Sequence, residues 1–169
     1  LSQAAMTKIV QVGNIACGSD QLFLISGPCV IETKDVMLRT AEKLKEVSER
    51  LQVPVIYKSS FTKDNRSSVD FYQGPGLEEG LKVLQRIKQD FGFPILTDIH
   101  YPSQAKPAAE VVDVLQIPAY LVMQTTLVTE AASTGAVINL KHAQFLAPDN
   151  MIKPAEKAKV VAPPYREFP

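Results

Sequence analysis

The stretch Lys58–Gly80, KSSFTKDNRSSVDFYQGPGLEEG, connects an apolar run to a helical pattern. The apolar run, Val53–Tyr57, contains β-branched and aromatic residues, as buried strands do. The pattern that follows, Leu77–Phe91, carries apolar residues at helical spacing. The sequence therefore predicts a strand, a long polar loop and a helix in succession.

The same succession recurs along the chain. Strands are predicted over Phe23–Ser26, Val53–Tyr57, Pro94–Thr97, Val111–Ile117 and Ala136–Leu140, with a further short strand over Val10–Ile15, and helices over Lys34–Leu51, Leu77–Phe91, Ser103–Ala109, Thr125–Ser133 and Asn150–Lys159. Nearly continuous apolar strands that alternate with helices are typical of a parallel sheet covered by helices. The sequence therefore predicts an α/β fold with about five strand–helix units.

Length and composition limit the possible classes of protein. No shift in composition marks a second domain, so residues 1–169 are predicted to form one domain, with 1–6 as a disordered lead and 160–169 as an irregular tail. Lysine plus arginine number 18, as do aspartate plus glutamate, which disfavours a nucleic-acid partner. Apolar runs are well short of the about 18 residues of a membrane span. With only two cysteines, the chain is predicted to be cytoplasmic.

Polar side chains collect in the loops that follow the predicted strands. In parallel α/β folds these loops carry the chemistry. The residues concerned are Cys29, Lys58 through Arg66, Asp98, His100, Gln116, Lys141 and His142. Cations among short hydrogen-bonding side chains suit an anionic, phosphorylated small molecule. A solvated polar loop is the alternative interpretation of the same composition.

Several motifs make the prediction more specific. They are Gly27-Pro28-Cys29-Val30-Ile31-Glu32, Lys58-Ser59-Ser60-Phe61, Asn65-Arg66-Ser67-Ser68, Gly74-Pro75-Gly76-Leu77, Thr97-Asp98-Ile99-His100, Gln116-Ile117-Pro118-Ala119 and Gln144-Phe145. In this order they closely resemble the 3-deoxy-D-manno-octulosonate 8-phosphate synthase family, whose members are also called 2-dehydro-3-deoxyphosphooctonate aldolases. The resemblance covers about residues 23–158.

The resemblance implies a fold and an activity. It implies a (β/α)8 barrel of the TIM type, of which only about five units are present here, in a homo-oligomer. It also implies an aldol-type condensation of phosphoenolpyruvate with arabinose 5-phosphate, in lipopolysaccharide precursor biosynthesis. The related heptulosonate 7-phosphate synthase remains an alternative. It typically carries Lys-Pro-Arg-Thr where this chain has Lys58-Ser59-Ser60-Phe61.

The resemblance further implies roles for residues around phosphoenolpyruvate. Lys58, Lys63 and Lys141 would hold the carboxylate and the phosphate of this substrate. Gln116 would donate a hydrogen bond to it.

For arabinose 5-phosphate, the implied ligands are Asn65, Arg66 and Ser67, with Arg66 reaching the phosphate across a subunit contact. Asp98 would bind the sugar end and help to orient the aldehyde. Lys58, Asn65 and Asp98 are expected to be the catalytic residues.

Cys29 matches the metal-ligand cysteine of the family's metal-dependent branch, so the resemblance implies a divalent metal there. A buried, inert thiol is the alternative interpretation of Cys29. The family's other metal ligands lie on later strands that this sequence does not contain. We therefore expect weak or no specific metal binding by this chain.

The sequence also departs from the family pattern. Gln73 and Met123 stand where the family has arginine, and a complete barrel takes about 250 residues. Three hypotheses follow: an active synthase, a truncated non-catalytic member that binds phosphorylated ligands, and a chain that assembles with a second chain to complete the barrel.

Overall fold

A computed structural model describes residues 8–163. The predicted lead, 1–6, and the end of the predicted tail, 164–169, lie outside the described residues. Among the described residues, the helices are too short or too polar to cross a bilayer.

The central element is a five-stranded parallel sheet whose strand order follows the chain, β3-β4-β5-β6-β7. The strands are β1 (Val10–Val12), β2 (Ile15–Cys17), β3 (Leu24–Ser26), β4 (Val55–Lys58), β5 (Ile95–Asp98), β6 (Val114–Ile117) and β7 (Val137–Leu140). A helix lies between each strand of the sheet and the next. The predicted α/β fold with parallel strands in chain order is confirmed, and this arrangement is that of part of a TIM-type barrel.

The helices are α1 (Lys34–Leu51), α2 (Leu77–Phe91), α3 (Ala105–Ala109), α4 (Thr125–Ser133) and α5 (Ile152–Val161). Helix α1 begins where the Thr33 side chain accepts a hydrogen bond from the backbone N–H of Val36, at 3.3 Å. Helix α2 ends at Gly92, whose φ of 70° lies in the left-handed region that favours glycine. Helix α5 continues two residues into the segment predicted to be irregular. Pro154 is compatible with it because this residue lies in the first turn.

The strand predicted over Val10–Ile15 is wrong. This segment forms an antiparallel hairpin of β1 and β2, in which Val12 pairs with Ile15. The chain reverses at Gly13, which has a φ of 57°. A turn inside a largely apolar segment explains why the pattern suggested one strand.

Alternation along the strands gives the sheet two covered faces. One face packs against the helices through residues such as Tyr57, Ile95 and Leu115. The opposite face, here called the inner face, carries an apolar layer of Ile56, Leu96 and Val114. Residues of the hairpin, Val12 and Ile15, cover this apolar layer. The inner face is therefore closed by the hairpin toward the amino ends of the strands.

Candidate functional site

The inner face changes character toward the carboxyl ends of the strands. Lys58, Asp98 and Gln116 each follow a residue of the apolar layer by two positions, so they point to the same face. We call these three residues the polar layer. In the sheet, Asp98 pairs with Gln116 and Gln116 pairs with Asn139. The strand period thus places the polar layer beyond the apolar layer, at the end of the sheet where loops can enclose a ligand.

A cavity of about 300 Å³ lies over the polar layer. Predicted site residues that line it are Cys29, Lys58, Lys63, Asn65, Asp98, Gln116 and Lys141. They come from β4, β5 and β6 and from the loops after β3, β4 and β7. A larger depression of about 700 Å³ is lined by residues of α1 alone. It is an open helix surface without groups from separate elements, so we assign the site to the smaller cavity.

The carboxylate of Asp98 is at the centre of a hydrogen-bond network. Its side chain is buried, and its Oδ1 accepts a hydrogen bond from the Ser60 hydroxyl. The Nε2 atom of His100 lies 3.4 Å from its Oδ2, and Lys58 Nζ lies 3.4 Å from the Ser60 Oγ. Burial raises the pKa of Asp98, but the interactions with His100, Ser60 and Lys58 outweigh burial and hold this pKa below its ordinary value. Asp98 is therefore ionised at neutral pH.

The loop after β3 brings Cys29 to the same cavity. Its Sγ accepts a hydrogen bond from Lys63 Nζ at 2.7 Å. This hydrogen bond, with the charges of Lys63, Lys58 and Arg66, lowers the pKa of the Cys29 thiol despite partial burial. The backbone of this loop packs directly on β4. A Cβ atom at Gly27 would clash with the backbone carbonyl of Lys58.

Arg66 and Ser67 do not line the cavity. The Nε of Arg66 donates instead to the carbonyl oxygen of Tyr72, at 3.0 Å, which links two parts of the same loop. Their implied contacts with a sugar phosphate stay predictions. His142 also lies outside the cavity lining, and its Nε2 is 3.0 Å from the carbonyl oxygen of Leu146.

Comparison with known proteins decides the family. Residues 4–164 match the model of the DAHP synthetase I family. The chain belongs to this family.

Curated relatives in the family are about half identical to this chain. The 2-dehydro-3-deoxyphosphooctonate aldolase of Geotalea daltonii is 50% identical over 154 residues, which cover 90% of this chain and 57% of the relative. The proteins of the same name from Pseudomonas putida and Psychromonas ingrahamii are 50% and 52% identical over 145 residues, which cover 85% of this chain and 52% of each relative. The recognised resemblance is confirmed, and the chain spans about half the length of these relatives.

The residues present do not fit the divalent metal that the resemblance implies at Cys29. In residues 8–163, no group of three or more histidine, cysteine, aspartate or glutamate side chains is arranged to hold a metal ion. The Cys29 sulfur accepts its hydrogen bond from a cation, Lys63. We therefore assign no chemical step in this family member to a metal.

A residue that supports the cavity lining, Asn139, was missed from the sequence. The amide nitrogen of Asn139 donates to Gln116 Oε1 at 3.0 Å and so fixes the orientation of the Gln116 amide. A polar residue within the otherwise apolar strand Val137–Leu140 was the available signal. The role of this polar residue could be inferred only from the strand register, which places Asn139 beside Gln116.

Proposed function

We propose that this chain binds phosphoenolpyruvate and arabinose 5-phosphate and contributes the binding surface for their aldol-type condensation. The products would be 3-deoxy-D-manno-octulosonate 8-phosphate and phosphate. The observation that carries this proposal is the convergence of three lysines from separate elements on one cavity that also holds a buried, ionised carboxylate. The names and identity of the curated relatives support the choice of reaction.

The lysines match the charge of phosphoenolpyruvate. Lys58, Lys63 and Lys141 outnumber the two carboxylates of the cavity, Asp64 and Asp98, although the whole chain has no net charge. Phosphoenolpyruvate carries a carboxylate and a phosphate, and lysine ammonium groups form charge-assisted hydrogen bonds with both. Gln116, oriented by Asn139, adds a neutral donor to the same site.

Positioning and charge would supply most of the rate. C3 of phosphoenolpyruvate attacks the aldehyde carbon, whose oxygen takes up a proton, while water adds at C2. Loss of phosphate from C2 then gives the ketone. Lys58 and Asn65 would hold the reactants, and Asp98 would orient the sugar end.

Two other functions remain candidates because of the open sheet. Strands β3 and β7 are its edges among the described residues, and the chain covers about half of its relatives. In the first, the chain binds phosphorylated ligands without catalysing a reaction. In the second, it completes a barrel with another copy of itself or with a second chain. In all three cases we propose that the protein works in the cytoplasm, on precursors of lipopolysaccharide.

Calorimetry and an assay of phosphate release test the proposal. We expect phosphoenolpyruvate to bind with a dissociation constant on the order of 1 mM. Lys58→Ala and Lys141→Ala should weaken binding about tenfold, because each removes a charge-assisted contact. Lys106→Ala, an exposed lysine that does not line the cavity, is the matched control. Unchanged binding in both cavity variants would reject the site.

Turnover distinguishes the candidate functions. Phosphate release that needs both phosphoenolpyruvate and arabinose 5-phosphate would establish the condensation. Binding without release would favour the non-catalytic member, and measurement of the size in solution would then distinguish a monomer from an assembly. Release with a four-carbon aldose phosphate instead of arabinose 5-phosphate would favour the heptulosonate alternative.

A further inference from the structure

The imidazole of His100 lines the cavity but has no part in the function proposed above. Only 9% of its side chain is exposed. The backbone N–H groups of His100 and Tyr101 both donate to Gln104 Oε1, at 2.8 and 3.1 Å. These hydrogen bonds fix the backbone that carries the ring, so the fold sets the position of the imidazole.

The two ring nitrogens of His100 have different surroundings. The Nε2 atom faces the carboxylate of Asp98 at 3.4 Å. Because an ionised carboxylate only accepts hydrogen bonds, the tautomer that suits Asp98 carries its hydrogen on Nε2, and Nδ1 of this tautomer has a lone pair. This Nδ1 atom is buried and has no hydrogen-bond partner among residues 8–163. A buried polar atom without a partner costs free energy, so a donor from a bound molecule would stabilise it.

The acceptor character of Nδ1 distinguishes between the two proposed substrates. The lysines of the cavity are donors and suit anionic oxygens, whereas a lone pair needs a donor. Phosphoenolpyruvate has no alcohol hydroxyl, but a pentose phosphate has several. We propose that His100 Nδ1 accepts a hydrogen bond from a hydroxyl group of the sugar phosphate. This inference rests on the proposed function, since it assigns a partner to one of its two substrates.

The network around Asp98 then acquires a specific role. Ser60 occupies one oxygen of the Asp98 carboxylate, and His100 faces the other. By holding the ring in the tautomer whose Nδ1 accepts, Asp98 also acts on the sugar through His100. His100 is a binding residue for the sugar, and Asp98 is a positioning residue.

Nuclear magnetic resonance can observe Nδ1 directly. The chain has two histidines, so a long-range ¹H–¹⁵N spectrum of the labelled chain contains few imidazole signals. His142 is an internal control because it is exposed and does not line the cavity, and His142→Gln assigns the remaining signals to His100. We expect arabinose 5-phosphate to move the His100 Nδ1 signal toward that of a hydrogen-bonded acceptor. Phosphoenolpyruvate and inorganic phosphate should leave it in place, and the His142 signals should not move.

The variant His100→Phe gives a second measurement, since it keeps a ring but removes both nitrogens. We expect its affinity for arabinose 5-phosphate to fall about three- to tenfold, with unchanged affinity for phosphoenolpyruvate. Equal losses for both substrates would indicate a structural role and contradict the inference.

The wild-type spectrum separates this inference from the proposed function. Calorimetric binding of arabinose 5-phosphate with an unmoved Nδ1 signal would overturn the role of His100 alone. If neither substrate binds, both the proposed function and the role of His100 are rejected.

Discussion

The apolar layer and the polar layer lie on the same face of the same strands, yet one is buried and the other lines a cavity. Ile56, Leu96 and Val114 are buried under the hairpin of β1 and β2. Two residues further along these strands, Lys58, Asp98 and Gln116 line a cavity instead. One strand period separates residues that hold the sheet from residues that meet a ligand. Stability and binding should therefore respond to different substitutions, although the side chains are neighbours.

The largest effect is expected in the apolar layer. Leu96 is fully buried between the sheet and the hairpin, so Leu96→Ala leaves a cavity. We expect the free energy of unfolding to fall by about 3 kcal/mol, measured by urea denaturation. Val160→Ala, at a position with 84% exposure, is the control and should change stability little. A loss below about 1 kcal/mol for Leu96→Ala would show that the hairpin does not seal this layer.

The pH dependence of stability sharpens the contrast in the polar layer. The folded-state pKa of Asp98 lies below its ordinary value of 3.8. Ionised Asp98 therefore stabilises the fold above about pH 4, and this contribution is lost as the pH falls through the lower folded-state pKa. We expect the free energy of unfolding of Asp98→Asn to change less with pH in this range than that of the wild type, as measured by acid denaturation.

Ser60→Ala provides an intermediate case for the same measurement. It removes one of the hydrogen bonds that lower the pKa of Asp98 but keeps the carboxylate. The pH dependence of its free energy of unfolding should lie between those of wild type and Asp98→Asn. A profile for Asp98→Asn as steep as that of wild type would contradict the assigned ionisation.

Much of the fold could be predicted from the sequence because the strands and helices carry strong local patterns. The strand over Pro94–Thr97 and the helix over Lys34–Leu51 are examples. The hairpin was missed because local apolar content does not reveal a turn at Gly13. The strand predicted to start at Val111 begins at Val114. The side chain of the preceding residue, Asp113, is buried, accepts a hydrogen bond from the backbone N–H of Ile95 and forms an ion pair with Lys88.

The candidate site was only partly predictable, because its members meet through tertiary structure. The convergence of Lys58, Asp98 and Gln116 followed from the rule that strand ends meet at one edge. The pairing of Cys29 with Lys63 and the burial of His100 did not, because both depend on how loops fold over the sheet. No local pattern encodes such contacts.

A smaller effect is expected at Asn139, which supports the polar layer without entering the cavity lining. Asn139→Ala removes the hydrogen bond that fixes the Gln116 amide. We expect the affinity for phosphoenolpyruvate to fall about threefold to tenfold, as measured by calorimetry. Asn14→Ala, in the distant hairpin turn, is a matched control. No change at Asn139 would mean that Gln116 is oriented without it.

The most direct test of the division between the layers compares two positions of β4 that are two residues apart on the same face. Ile56→Val shortens a side chain of the apolar layer, and Lys58→Met removes the charge of the polar layer with little loss of volume. Unfolding free energies and phosphoenolpyruvate affinities are measured for both variants. We predict that Ile56→Val lowers stability by about 1 kcal/mol with unchanged affinity, and that Lys58→Met weakens binding about tenfold with nearly unchanged stability. Equal losses of affinity in the two variants would contradict the division on which this account rests.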